Sequence, residues 1–533
     1  MAAFKKAFSN RPFVGAVLFV VFLYVFEELL FDFPQAKFLQ IASIYFTPWH
    51  RWVTFLSGIV SMMICYFFVW AALGSPRIFQ VLYTFFFALS SLVQYGFWKA
   101  VGRFMSSPDL KIAAATPFDT WTGATTLYFN WYFVLPLIAF IACLLIFSKR
   151  QNLKISFIRL GSVFLLIVLL TSLYALTNQE PDLGLSLSAF SQTITRFVMD
   201  DMLPSKREII KYHHPGVPKN NIVLVIDESI RGDHLSVNGY ARDTTPLLNR
   251  LDSTEDGFHS WGLAVSGATC SYPSNALILT GVRPGIDKFE MTVNYPTVFQ
   301  YAKSIGYKTY YMDAQTNSLW NGLTDQDVSF IDKWFKASDF GNDCESDFRA
   351  ADMISEIVSK GAGNFIVLNK RGVHFLYESS YPSEGAVWFP LPGDYNSHPE
   401  FISNSYDNGI LYNVNTFFEH LMINPRILEN TTILYTSDHG QTLFENHVNW
   451  LHCNYTSQEA TVPLIMIGEN LPPIDHSYHA SHSNILPTLL DLMGIPTDQR
   501  IHSYAPSLFS QTMDRMTDHF FFDGSLRLID FPD

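Results

Sequence analysis

The chain runs to 533 residues, 48% of them hydrophobic, 16% aromatic and only 16% charged. That composition excludes intrinsic disorder and fits poorly with a purely cytosolic globular protein. The formal charge is −13 and no long Lys/Arg run appears, which argues against a nucleic-acid partner held by phosphate neutralisation. Five cysteines, none in a C-x-x-C pair, make neither a disulfide scaffold nor a zinc ribbon or dithiol redox motif.

Five apolar runs fill the first third of the chain, over residues 13–33, 52–73, 79–97, 131–147 and 157–175. Each is long enough to cross roughly 30 Å of hydrocarbon and is almost free of charge, so the sequence predicts a five-helix transmembrane domain over 1–177. The first run is followed by four more and has no small-residue cleavage site, which argues against a signal peptide. Lys5, Lys6 and Arg11 precede the first run, Arg77 lies between the second and third, and Lys149, Arg150 and Lys154 lie between the fourth and fifth. The positive-inside rule puts these three segments in the cytoplasm, and the odd number of spans then puts the rest of the chain on the other side. Glu27 and Glu28 are read as the interfacial end of the first span.

Residues 178–220 read as a connector. Within it Leu187, Phe190, Ile194, Phe197 and Val198 recur at helical spacing, predicting an amphipathic helix over 185–203 that lies on the membrane surface or packs against the soluble part.

From 221 to 533 short apolar strands alternate with helical segments. NIVLVI (221–226), FIVL (365–368) and TILY (432–435) are predicted strands, and 274–279 and 409–422 are helical candidates. Such alternation predicts a doubly wound α/β domain whose ligands belong beyond the carboxyl ends of the strands. Asp227 and Glu228 follow the first of these strands. His374 lies six residues past the second, Asp438 and His439 close the third, and His452 comes a little later. All but His50 of the sixteen histidines lie beyond the spans. Carboxylates and imidazoles gathered at strand ends suit zinc with an open position for substrate. The segment SGATCSYPSNALILTG (266–281) sets hydroxyl residues before an apolar helical run. It reads either as an N-cap or as a nucleophile at a helix N-terminus, where backbone N–H groups favour anions.

Together these segments resemble the phosphoethanolamine transferases of the lipid A and lipooligosaccharide type, within the alkaline phosphatase and sulfatase superfamily. DESIRGDHLSVNGYARDTTPLL (227–248) resembles that family's GET-S-R and N-GY-R-T-P blocks, SDHGQTLFEN (437–446) its SDHGESLGEN, and GVHFLYESSYP (372–382) its SHGP-Y-YP. Tyr406, Asp407 and Asn408 match its YDN, and SHSNILPTLLDLMG (481–494) resembles a late superfamily segment. The resemblance implies Glu228, Asp438 and His439 as metal ligands together with the nucleophile. It implies His374 and His452 as substrate-binding residues, or as ligands of a second zinc.

Two registers of the nucleophile segment are open. Counting back from Gly281 without a gap puts the family's threonine on Thr269, the preferred assignment, whereas overlaying SYPSNALILTG on the sulfatase pattern puts the nucleophile on Ser271. Formylglycine chemistry is disfavoured, because Asn275 stands where that signature needs Arg. The implied activity is zinc-dependent transfer of phosphoethanolamine from phosphatidylethanolamine to an envelope lipid or glycan acceptor, with a covalent Thr/Ser intermediate. The implied location is the bacterial inner membrane, with the catalytic domain in the periplasm. A phosphoglycerol transferase, or a phosphodiesterase or sulfatase-like hydrolase of the same superfamily, is the alternative, and a non-enzymatic membrane protein the remote third. Gln441 and Phe444 replace the family's Glu and Gly. Cys270, Cys344 and Cys453 stand where the family carries several disulfides, with a Cys270–Cys453 pair or free thiols both open.

Overall fold

The computed structural model describes residues 11–30, 50–101, 103–107, 109–110, 113, 128–149, 165–171, 185–202, 206–210, 218–253, 257–319, 321–392, 398–424, 426–445, 452–475, 478–510, 520–524 and 526–532. The chain forms two compact units, Met1–Pro204 and Ser205–Asp533.

In the first unit four of the five apolar runs form the helices Arg11–Leu30, His50–Gly74, Arg77–Val101 and Val134–Phe147. Phe19, Leu23, Phe68, Phe87 and Phe140 are buried where they meet, and the Phe87 and Phe140 rings stack at 4.8 Å. Most of the fifth run lies outside the described residues, with 165–171 helical. Among the described residues two helices, Arg11–Leu30 and Arg77–Ala100, are long and apolar enough to cross a membrane.

The amphipathic helix forms over Ser186–Met202. Leu187 and Phe190 are buried, and Leu187 joins the apolar core of the first unit. Glu27, at the end of the first predicted span, is buried within the same unit. Its buried carboxylate accepts hydrogen bonds from Tyr95 Oη (2.8 Å), from the Ser186 backbone N–H (3.0 Å) and from Ser186 Oγ, so it caps the start of that helix. A buried carboxylate is tolerated when its oxygens are satisfied in this way.

The second unit is built on a seven-stranded sheet: β1 (Asn221–Asp227), β2 (Phe258–Val265), β3 (Lys308–Asp313), β4 (Lys333–Phe335), β5 (Asn364–Asn369), β6 (Thr431–Ser437) and β7 (Thr461–Gly468). A separate hairpin pairs β8 (Phe520–Phe522) with β9 (Leu528–Asp530). The sheet order is β2-β7-β6-β1-β5-β3-β4. β1 is parallel to β5 and β6, whereas β7 runs antiparallel to both β6 and β2, so the sheet is mixed. β1, β5 and β6 are buried along their whole length, which is why they read as unbroken apolar runs. Their register aligns Asp227 with Ser437 and Ile226 with Asn369. The residues that follow each strand therefore emerge side by side at one edge of the sheet.

Candidate active site

Glu228 leaves β1 and Asp438 and His439 leave β6 at that edge, and one ligand atom from each lies within 4.8 Å of the others. His439 Nε2 stands 3.5 Å from Glu228 Oε1 and 3.5 Å from Asp438 Oδ2. Its Nδ1 lies 2.7 Å from the Gly440 carbonyl, a contact that requires the proton on Nδ1 and leaves the Nε2 lone pair facing the carboxylates. Asp438 Oδ1 accepts the N–H groups of Ser229 (3.1 Å) and His439 (2.7 Å), while its buried Oδ2 has no hydrogen-bond partner.

The electrostatics favour a bound cation. Burial opposes the charge on Glu228, yet the His439, His374 and His452 imidazoles hold its carboxyl below the usual carboxylate range. Burial and the Glu228 charge push Asp438 well above the usual carboxylate range, and burial lowers His439. Two buried carboxylates this close ionise together only with a compensating cation. The orphaned Asp438 Oδ2 and the mixed carboxylate and imidazole donors fit zinc.

Of the two hydroxyls weighed as nucleophile, the structure brings Ser271 to the cluster and not Thr269. Ser271 opens the helix Ser271–Thr280 after an extended Cys270. Its Oγ lies 3.1 Å from Glu228 Oε2 and 3.2 Å from His439 Nε2. Thr269 is buried and turned elsewhere: its Oγ1 donates to the Asn454 carbonyl (2.7 Å), its N–H to the Phe522 carbonyl (2.9 Å), and its carbonyl accepts from the Cys453 N–H (2.8 Å). The helix starts two residues after Thr269, and it is its first residue, Ser271, that reaches Glu228 and His439. Ser229 Oγ also donates to Glu228 (2.6 Å), but Ser229 is buried whereas Ser271 is partly exposed.

His374 and His452 close the site on its open side. Both share a 4.8 Å cluster with Glu228, and the His452 ring lies 4.4 Å from that of His439 and 6.0 Å from that of His374. His374 Nδ1 meets the Phe375 carbonyl at 2.6 Å. His452 Nδ1 lies 3.1 Å from Oε1 of Gln441.

Cys270 and Cys453, 183 positions apart in sequence, form a disulfide with Cα atoms 4.8 Å apart, which answers the question the sequence left open. It fastens the residue before Ser271 to the residue after His452. Replacing both cysteines with serine is expected to lower stability by about 2–4 kcal/mol, measured by thermal denaturation against the oxidised chain.

Several residues at the site carried no assigned role in the sequence reading. Gln315, beyond β3, donates through Nε2 to Glu228 Oε2 (3.0 Å) and to the Lys370 carbonyl (2.7 Å); a lone glutamine after an unread strand gives no signal. Tyr406 Oη accepts the Arg231 N–H (2.9 Å) and donates to the Ser229 carbonyl. Asp407 accepts from His234 Nδ1 (2.7 Å), Tyr240 Oη (2.9 Å) and Arg242 Nη1 (2.7 Å). The YDN and N-GY-R motifs are therefore one contact, which fixes the loop after Glu228. Gly440 is confined to glycine by crowding, since a Cβ there would come within 2.3 Å of the Gln458 carbonyl.

Glu459 supports the segment that carries His452, accepting the Asn454 N–H (2.7 Å) and Nδ2 (3.0 Å). Burial pushes its carboxyl from 4.5 up to about 8, against those hydrogen bonds. The folded chain then binds a proton that the unfolded chain has lost, so this stability is complete below pH 4.5 and disappears as pH rises through 8. Glu459→Gln is expected to flatten the decline over that window, measured by urea denaturation across it. A decline as steep as that of the wild type would contradict the assignment.

A sulfatase family profile matches residues 220–495. The chain is 25% identical over 269 residues to the Kdo(2)-lipid A phosphoethanolamine 7''-transferase of Escherichia coli (strain K12), covering 49% of this chain and 45% of that protein. It thus spans less than half the length of that curated relative. The lipooligosaccharide phosphoethanolamine transferase A of Neisseria meningitidis superposes with a TM-score of 0.61 at 17% identity, over 89% of this chain and 95% of that one. The periplasmic domain of Escherichia coli EptC in complex with Zn superposes with a TM-score of 0.51 at 18% identity, over 61% of this chain and 96% of that one. Both likenesses are of fold, and both agree with the superfamily that the motifs indicate. Because the profile match covers more than half of the residues, from the start of β1 to the segment after β7, the chain belongs to the sulfatase family.

Proposed function

We propose that this chain is a zinc-dependent phosphoethanolamine transferase of the bacterial inner membrane, anchored by five spans with its catalytic domain in the periplasm. It takes phosphoethanolamine from phosphatidylethanolamine and passes it to an envelope lipid or glycan. The observation that carries the reading is Ser271 Oγ at 3.1 Å from Glu228 and 3.2 Å from His439, at a helix N-terminus and among residues fit for zinc. The name of the Escherichia coli relative supplies the transferred group and the class of acceptor.

Glu228, Asp438 and His439 would hold one zinc, which when bound supplies Lewis-acid stabilisation of phosphoryl charge and a lowered hydroxyl pKa. Ser271 Oγ forms the bond to phosphorus as the bond from phosphorus to the diacylglycerol oxygen breaks. The serine proton leaves to solvent, and His374 Nε2 protonates the departing oxygen. An acceptor oxygen then bonds to this phosphorus as the bond from phosphorus to Ser271 Oγ breaks; His374 takes the acceptor's proton back, and Ser271 Oγ regains a proton from solvent. The N–H groups of the first turn of the Ser271–Thr280 helix favour the anion that both steps develop.

The test is a transfer assay with headgroup-labelled phosphatidylethanolamine and a lipid A acceptor. Diacylglycerol released in step with label on the acceptor is the expected result. Transfer from phosphatidylglycerol instead would assign the chain to phosphoglycerol transfer, and release of free phosphoethanolamine would assign it to hydrolysis.

A further inference from the structure

We infer that Asp227 and Lys370 act as a buried positioning pair that holds the Glu228 carboxylate and the His374 loop in register for zinc. The inference rests on the reading of Glu228 as a metal ligand. Both side chains are fully buried, with Lys370 Nζ 2.6 Å from Asp227 Oδ2.

A buried ion pair is a poor source of stability compared with apolar residues of the same size. What it offers here is direction. Tyr435 Oη (3.0 Å) and Lys370 fix Asp227 Oδ2, which leaves Oδ1 to accept the Glu228 N–H at 3.0 Å. The Lys370 ammonium also donates to the Asn413 carbonyl, inside the π-helical turn Leu411–Thr416, and Asn413 Nδ2 donates to the Ser380 carbonyl beyond His374 (2.7 Å). The Lys370 main chain joins the same device: its N–H donates to the Ile226 carbonyl (2.9 Å), and its carbonyl shares Gln315 Nε2 with Glu228 Oε2.

The His374 loop is locked against this turn. Gly372 has φ of +56°, and a Cβ there would stand 2.4 Å from Asp227 Oδ1 and 2.7 Å from the Glu228 nitrogen. The next residue, Val373, donates its N–H to the Glu228 carbonyl at 3.1 Å. The pair thus governs where the Glu228 carboxylate points and where His374 begins.

The experiment measures zinc affinity by chelator competition on the full chain in detergent, beside the thermal midpoint of the zinc-free protein. Asp227→Asn with Lys370→Met removes both charges and leaves no unpaired buried ion. The expected result is a near wild-type thermal midpoint with zinc bound about 10- to 100-fold more weakly, the usual effect of losing an outer support of a ligand. Unchanged zinc affinity would overturn the inference. If that variant fails to fold, Tyr435→Phe is read in its place: weaker zinc supports the inference and wild-type affinity overturns it. Glu228→Ala is the control, because zinc retained by that variant would refute the ligand reading itself rather than the role of the pair.

Discussion

Ser271→Ala is expected to lower turnover by on the order of 10⁶-fold, the scale on which a serine nucleophile counts, while zinc stays bound. Among the described residues Ser271 is the partly exposed hydroxyl that touches both Glu228 and His439, so alanine leaves the ligands in place and removes only the attacking oxygen. Thr269→Ala is expected to behave differently. It deletes a hydrogen bond to the Asn454 carbonyl, costs about 1 kcal/mol of stability and leaves the covalent step intact. Single-turnover kinetics on both variants check the pair. Activity retained by Ser271→Ala and lost by Thr269→Ala would return the role to the threonine.

The second large effect is expected at Glu228. It lies in both candidate ligand groups, with Asp438 and His439 and with His374 and His452, and its oxygens receive Ser229, Ser271 and Gln315. Glu228→Ala is expected to abolish zinc retention and turnover together. Metal analysis after dialysis reads the first, and the headgroup transfer assay reads the second. Acid is expected to act in the same direction, because carboxylate and imidazole ligands must be deprotonated to bind metal and zinc is released as they take up protons. A Glu228→Ala protein that keeps one equivalent of zinc would contradict the assignment.

The parts of this arrangement that were legible in the sequence are those set by burial on both faces of a strand. β1, β5 and β6 read directly as apolar runs, and the carboxylates and histidine at their ends followed. β7 was not legible. Pro463 interrupts it, and proline argues against an interior strand. The chain accommodates it opposite a shift in the register of β2 between Ser260 and Leu263. The choice between Thr269 and Ser271 turned on where one helix begins, which both registers left undetermined, and Cys270 in extended conformation places that start at Ser271. Contacts between distant residues were likewise closed to sequence reading. Glu27 meets Ser186 from 159 positions away, and Asp227 meets Lys370 from 143. No local periodicity encodes either of these.

The central claim is a covalent phosphoethanolamine ester on Ser271. Its most direct test is intact mass of the zinc-loaded, detergent-purified chain after incubation with headgroup-labelled phosphatidylethanolamine, for wild type, Ser271→Ala and Thr269→Ala. The account predicts one added phosphoethanolamine on wild type and on Thr269→Ala, and none on Ser271→Ala. An adduct that persists in Ser271→Ala, or wild type that stays unmodified with zinc bound and lipid intact, would contradict it.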